Sequence, residues 1–170
     1  MQLQDLNASP WALAYYRVVL ALKADPTLSK TIAPGGWRTY TDEDSNDVGP
    51  GVDSLPALET LPFAAGASPL TIISQNAPLG IAISIATEGS DVRDLLNLWG
   101  AVHKALFPGD ASTALRSAIV ADFQSAVPPL GAQLASVQLS APAITPSGPG
   151  LQKQIMSASG TITINMTVSK

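Results

Sequence analysis

Between Gly160 and Val168 the chain alternates cleanly, with Ile162, Ile164, Met166 and Val168 on one side and Thr161, Thr163, Asn165 and Thr167 on the other. Successive side chains of an extended chain point to opposite faces, so a period of two predicts a β-strand with one buried face. Such a strand is not stable alone and demands neighbouring strands plus a layer over its apolar side. The pattern recurs from Gly80 to Thr87, where Ile81, Ile83 and Ile85 oppose Ala82, Ser84 and Ala86. Weaker strands are expected over 56–63, edge-like because of its prolines, over 70–73, and over 134–139.

The covering layer is helical. Ser9 can cap a first helix with Pro10 in its first turn, and Trp11, Ala14, Tyr15, Val18, Val19 and Leu22 recur at three-four spacing until Asp25-Pro26. Ser90 or Asp91 can cap a second helix whose stripe is Val92, Leu95, Leu96, Trp99, Val102, His103 and Leu106, stopped by Pro108-Gly109. Asp110 or Ser112 opens a third, with Leu115, Ile119 and Phe123 repeating up to Pro128-Pro129. The expected fold is α+β: a mixed, mostly antiparallel sheet with two to three helices packed on one face and a long acidic loop. At 170 residues the chain fits one domain, residues 1–170, able to bury a core without disulfides or metal.

Residues 33–54 change character. Pro34-Gly35-Gly36 and Gly49-Pro50-Gly51 bracket Trp37, Arg38 and Tyr40 and an acidic run of Asp42, Glu43, Asp44 and Asp47. Like charges repel and glycine and proline break regular structure, so the segment reads as a mobile arm. Its aromatics and Arg38 abut acids that would repel a phosphate backbone, and they fit better as anchors in a protein interface together with those acids. Asp42, Asp44 and Asn46 mimic the opening of a calcium loop, but Asp47 takes the place of the turn glycine and Asp53 that of the bidentate glutamate.

Composition narrows the function. The net charge of −4, with no Lys/Arg cluster, argues against unaided nucleic-acid binding. No cysteine is present, which removes thiolate metal sites and cysteine nucleophiles together. The one histidine, His103, has no Ser or carboxylate placed beside it by spacing, and neither a phosphate loop nor a nucleophile elbow occurs. No catalytic, cofactor or metal site is expected, and the chain reads as a non-enzymatic assembly protein. No apolar run is long enough to cross a bilayer, and the first residues lack the pattern of a secretory signal. Charged residues are only 13% of the chain, so part of its surface is expected to be covered by copies of itself or a partner.

The order of helix, long loop, strands, helix and closing strands resembles the phage tail terminator, or tail completion and neck, proteins. The residues that carry it are Leu55-Pro56-Ala57-Leu58 leading a strand, Gly80 to Ile85 running into the helix at 91–107, and the final strand to Val168. The resemblance implies a homo-oligomeric ring, typically six-fold, that ends the tail tube and meets the head-tail connector. It implies tail tube and connector proteins as partners, DNA only as cargo passing through the lumen, no membrane, and a place in the virion after assembly in the host cytoplasm. A head-completion or tail-tube protein presents the same elements. The alternative of another class is a monomeric ligand-binding α+β domain, which needs a pocket with convergent polar groups. The acidic run fits the lumen of such a ring, where it would repel DNA, or its outer surface.

Overall fold

The computed structural model describes residues 9–32, 34–39, 55–65, 68–69, 74–89, 91–109, 114–126, 131–146 and 155–169. Ser9 caps helix α1 (Pro10–Ala24), its Oγ accepting from the Ala12 amide at 3.2 Å. Asp25 then serves two helices at once. Its amide donates to Leu22 O at 3.3 Å, closing α1, while its Oδ1 accepts from the Thr27 and Leu28 amides at 2.9 Å and opens α2 (Pro26–Thr31). The residue that ends one helix starts the next, which is why Asp25-Pro26 reads in sequence as a mere stop.

The expectation of a mobile arm over 33–54 needs correction at its first residues. A 3₁₀ turn at Pro34–Gly36 feeds strand β1 (Trp37–Thr39), which pairs in parallel with Leu58–Thr60 of strand β2 (Ala57–Ala64). Thr39 is fully buried there. Tyr40 and the acidic run lie outside the described residues. The expected edge strand over 56–63 is also corrected, because β2 lies between β1 and β5 (Leu79–Glu88). Its proline is tolerated by position: the described pairing with β1 reaches to Thr60, and Pro62 lies past it.

The remaining strands are β3 (Ser68–Pro69), β4 (Ser74–Asn76), β6 (Ala132–Leu139), β7 (Ala143–Pro146) and β8 (Ile155–Ser169). The strand expected over 70–73 lies outside the described residues. The sheet runs β1-β2-β5-β8-β4-β3, with β6 and β7 along the other side of β8. All pairings except β1 with β2 are antiparallel, so the sheet is mixed and mostly antiparallel. β4 and β5 share one register against β8, from Ser74↔Ser169 to Glu88↔Ile155. The Ala77 amide donates to Met166 O at 2.9 Å, so the line is broken in name only at Ala77-Pro78. β6 slips by one residue at a bulge between Leu134 and Ser136, which explains its imperfect alternation in sequence. β8 begins well before the alternating stretch that announces it.

Ile81, Ile83, Ile85, Ile162 and Ile164 form a fully buried row under α1, α3 (Val92–Leu106) and α4 (Ala114–Ser125). Each such side chain contributes about 1.5–3 kcal/mol by leaving water. α3 starts at Asp91, whose Oδ1 accepts from the Arg93 amide at 2.9 Å. Its buried arc is Leu95, Leu98, Trp99, Ala101, Val102 and Leu106. Val92, Leu96 and His103, assigned to that stripe from spacing, are exposed instead. At about 100° per residue they lie roughly 60–100° round the helix from Leu95 and miss the contact.

Polar ties set how the layers sit. The Tyr15 hydroxyl meets Thr60 at its carbonyl (3.2 Å) and hydroxyl (3.0 Å), and the Trp11 indole N–H donates to Ala77 O at 3.1 Å, so α1 is bolted across β2 and the β4–β5 line. Arg17 grips Asp122 through Nε at 2.6 Å and through its terminal nitrogen, locking α1 to α4. That hydrogen bond holds the Arg17 guanidinium pKa above its usual value.

Candidate functional site

Among the described residues no element covers the face of the sheet turned away from the helices. β8 presents Ser157, Ser159, Thr161, Thr163 and Asn165 there, β5 presents Ala82, Ser84 and Ala86, and β6 presents Ser136 and Gln138. Among the described residues of this face charges occur at the rims, with Arg38 opposite Glu59 at one corner and Glu88 at the end of β5. From Phe123 to Ser169 the chain carries a single charged residue, Lys153. An antiparallel sheet can face water on one side, but a soluble surface of this extent usually has charges of both signs across it.

The edges of the sheet carry devices that resist strand addition. Pro62 denies an amide beyond β1. On the far edge the Arg116 guanidinium donates to Leu134 O at 3.3 Å beside the bulge, and Pro142 and Pro146 interrupt the line of β7. Such devices leave the faces rather than the edges as the surfaces open to contact. Two apolar features suit such contact. Leu61 and Phe63, both more than 40% exposed, stand on the bare face, with the Phe63 ring lying against Gly80. Along α3, Val92, Leu96, His103 and Phe107 share one flank, where the His103 and Phe107 rings stand 5.3 Å apart.

Trp37 and Arg38 are both half-buried in β1, Trp37 against the core and Arg38 beside Glu59. The structure thus joins these two to the sheet rather than to a free arm. Tyr40, Asp42, Glu43, Asp44 and Asp47 lie outside the described residues, so their company with Trp37 is not described. Among the described residues no three His, Cys, Asp or Glu side chains gather as metal ligands. Asp91 lies with its carboxylate on Arg93, whose side chain and amide hold its pKa below the ordinary value. Sequence reasoning missed the bare face because Ser and Thr on alternate positions read only as the wet side of a strand. The long uncharged stretch that ends in it was the available signal.

No protein-family model matches the chain. No curated protein matches it either. Among solved structures the chain is similar to one titled "Virion of native gene transfer agent (GTA) particle", at 13% sequence identity and a TM-score of 0.45, over 89% of this chain and 93% of that one.

Proposed function

We propose that the chain is a non-enzymatic structural protein of a phage-like virion, and that it forms a homo-oligomeric ring at the head-tail neck that ends the tail tube and meets the head connector. The observation that carries the reading is the sheet face away from the helices, whose described residues carry charge only at the rims, in a chain with 13% charged residues. A surface so poor in charge is one that subunits cover. The sequence resemblance to tail terminators supports the neck position, and the α+β architecture with helices on one face is the one that resemblance implies. Within the ring, DNA is passing cargo and the net charge of −4 gives it little to hold on to.

Sedimentation and negative-stain microscopy of the purified chain test this directly. A closed ring at micromolar concentration is expected, and a stable monomer would overturn it. Exchanging Asp42, Glu43, Asp44 and Asp47 for Ser then tests whether the acidic run faces the lumen. The ring should persist and bind duplex DNA more tightly at low salt. If its DNA affinity does not change, the run lies elsewhere.

A further inference from the structure

Two apolar features lie on opposite sides of the molecule, and the sheet between them keeps them from meeting within one chain. The first is a cleft of about 340 Å³ in the helical layer, where α1, the end of α3 and the start of α4 come together. Leu20, Ala21, Ala105, Pro108, Leu115 and Ala118 line it, and Arg17, the charged residue described on its wall, is already held by Asp122. The second is the pair Leu61 and Phe63 on β2, 47% and 43% exposed. By register they stand with Ala82 and Gly80 on the face away from the helices. The Phe63 ring fills the space above Gly80, so it projects from a fixed seat and loses little freedom on being covered.

Charge is divided between the helices and the rest of the chain. The four helices with their capping residues Asp25 and Asp91 carry six cations against four acids, whereas the remaining residues carry three against nine. Three of the helical acids are spent locally: Asp25 caps α2, Asp91 holds Arg93 and Asp122 holds Arg17. Lys104 and Arg116, both exposed, neighbour the cleft residues Ala105 and Leu115 in the chain. The acidic run of Asp42, Glu43, Asp44 and Asp47 begins three residues after Thr39, the end of β1, and β1 pairs with the strand that carries Leu61 and Phe63.

We propose that the two features meet between copies of this chain, the Leu61–Phe63 pair of one copy entering the cleft between α1, α3 and α4 of the next. Opposite charge brings the basic helical side of one copy to the acidic side of its neighbour, and the apolar contact then holds it there. Because the two surfaces differ and lie on opposite sides of the sheet, the contact is head-to-tail and repeats from copy to copy. That is the kind of contact from which a closed ring of more than two members is built. The inference rests on the ring reading and deepens it by naming the two surfaces that join.

The chain has no cysteine, so introduced cysteines report contacts between copies without background. Leu61→Cys protein mixed with Ala21→Cys protein and treated with a short bismaleimide should give the mixed cross-link faster than either protein cross-links to itself. Phe63→Ser and Ala118→Glu, one on each surface, should each weaken self-association roughly tenfold in sedimentation while melting close to the parent. Raising the salt concentration should weaken the parent's association as well. Should a serine or glutamate variant fail to fold, the cross-link decides. The proposal fails if Leu61→Cys protein links mainly to itself, which would mean sheet face against sheet face, if a folded variant associates as the parent does, or if association is independent of salt. A ring that survives both substitutions removes this contact and leaves the ring reading standing. A parent that stays monomeric at micromolar concentration overturns both and leaves the two surfaces to a different protein.

Discussion

Gly160 lies in β8 directly opposite Ile83, on the face that meets the helices, and the Trp99 indole fills the space a side chain would take. A Cβ built there would stand 2.8 Å from Trp99 Cη2 and Cζ2 and 2.9 Å from Ser140 Oγ. Neither neighbour moves freely: Trp99 is 6% exposed, and Ser140 Oγ accepts from the Thr161 amide at 2.9 Å. Overpacking of this kind costs about 1–3 kcal/mol, while replacing glycine within a strand returns about 0.5–1 kcal/mol. Gly160→Ala should therefore destabilise by about 1–2 kcal/mol, a fall in melting temperature of roughly 2–8 °C for a chain of this size. The offending atoms belong to the indole's six-membered ring, so Trp99→Phe draws them back and should relieve part of the penalty. Urea denaturation followed by circular dichroism on the four members of this cycle should give a coupling of about 1–2 kcal/mol, with the alanine better tolerated beside phenylalanine. Additive effects, or a Gly160→Ala protein as stable as its parent, would refute the packing of α3 on β8 through this glycine.

Trp99→Ala should cost about 3–5 kcal/mol by leaving a cavity over the same strand, read as a lower urea midpoint. Tyr15→Phe strands the Thr60 hydroxyl and should cost about 1–3 kcal/mol, whereas an unchanged midpoint would mean that the bond contributes nothing. Arg17→Met leaves the Asp122 carboxylate, 9% exposed, without its partner and should destabilise by about 1–3 kcal/mol, the guanidinium's own partial exposure keeping the figure below that of a fully buried pair. Because Arg93 lowers the Asp91 pKa, the stability this cap adds is complete above the ordinary carboxylate range and is lost as pH falls through the depressed value. Amide protection in the first turn of α3, taken relative to the intrinsic exchange rate at each pH, should fall on acidification in that window, and Asp91→Asn should abolish the change.

Much of the fold was legible wherever one local signal sufficed. Ser9-Pro10 and Asp91 start helices where capping chemistry requires, and Ile81, Ile83 and Ile85 are buried as a period of two dictates. What escaped depends on distant partners. Trp37–Thr39 has only three residues between a glycine turn and an acidic run, and its identity as a strand comes from Leu58–Thr60 offering it a parallel edge. The flank of α3 that carries Val92, Leu96 and His103 is apolar enough to read as core, and only the direction from which the sheet and α1 approach decides against it.

β8 hydrogen-bonds to β4 and β5 on one side and to β6 and β7 on the other, and all four precede it in the chain. During synthesis β6 and β7, whose described pairings are with β8 alone, therefore emerge before the strand that joins them to β5. Until residues 155–169 are made, Ile81, Ile83 and Ile85 have no neighbour on that side, and the pairing that follows closes loops of many tens of residues, a slow step. A nascent chain is thereby kept from completing its sheet early. Commitment to the native sheet is deferred until β8 can be threaded between its two halves.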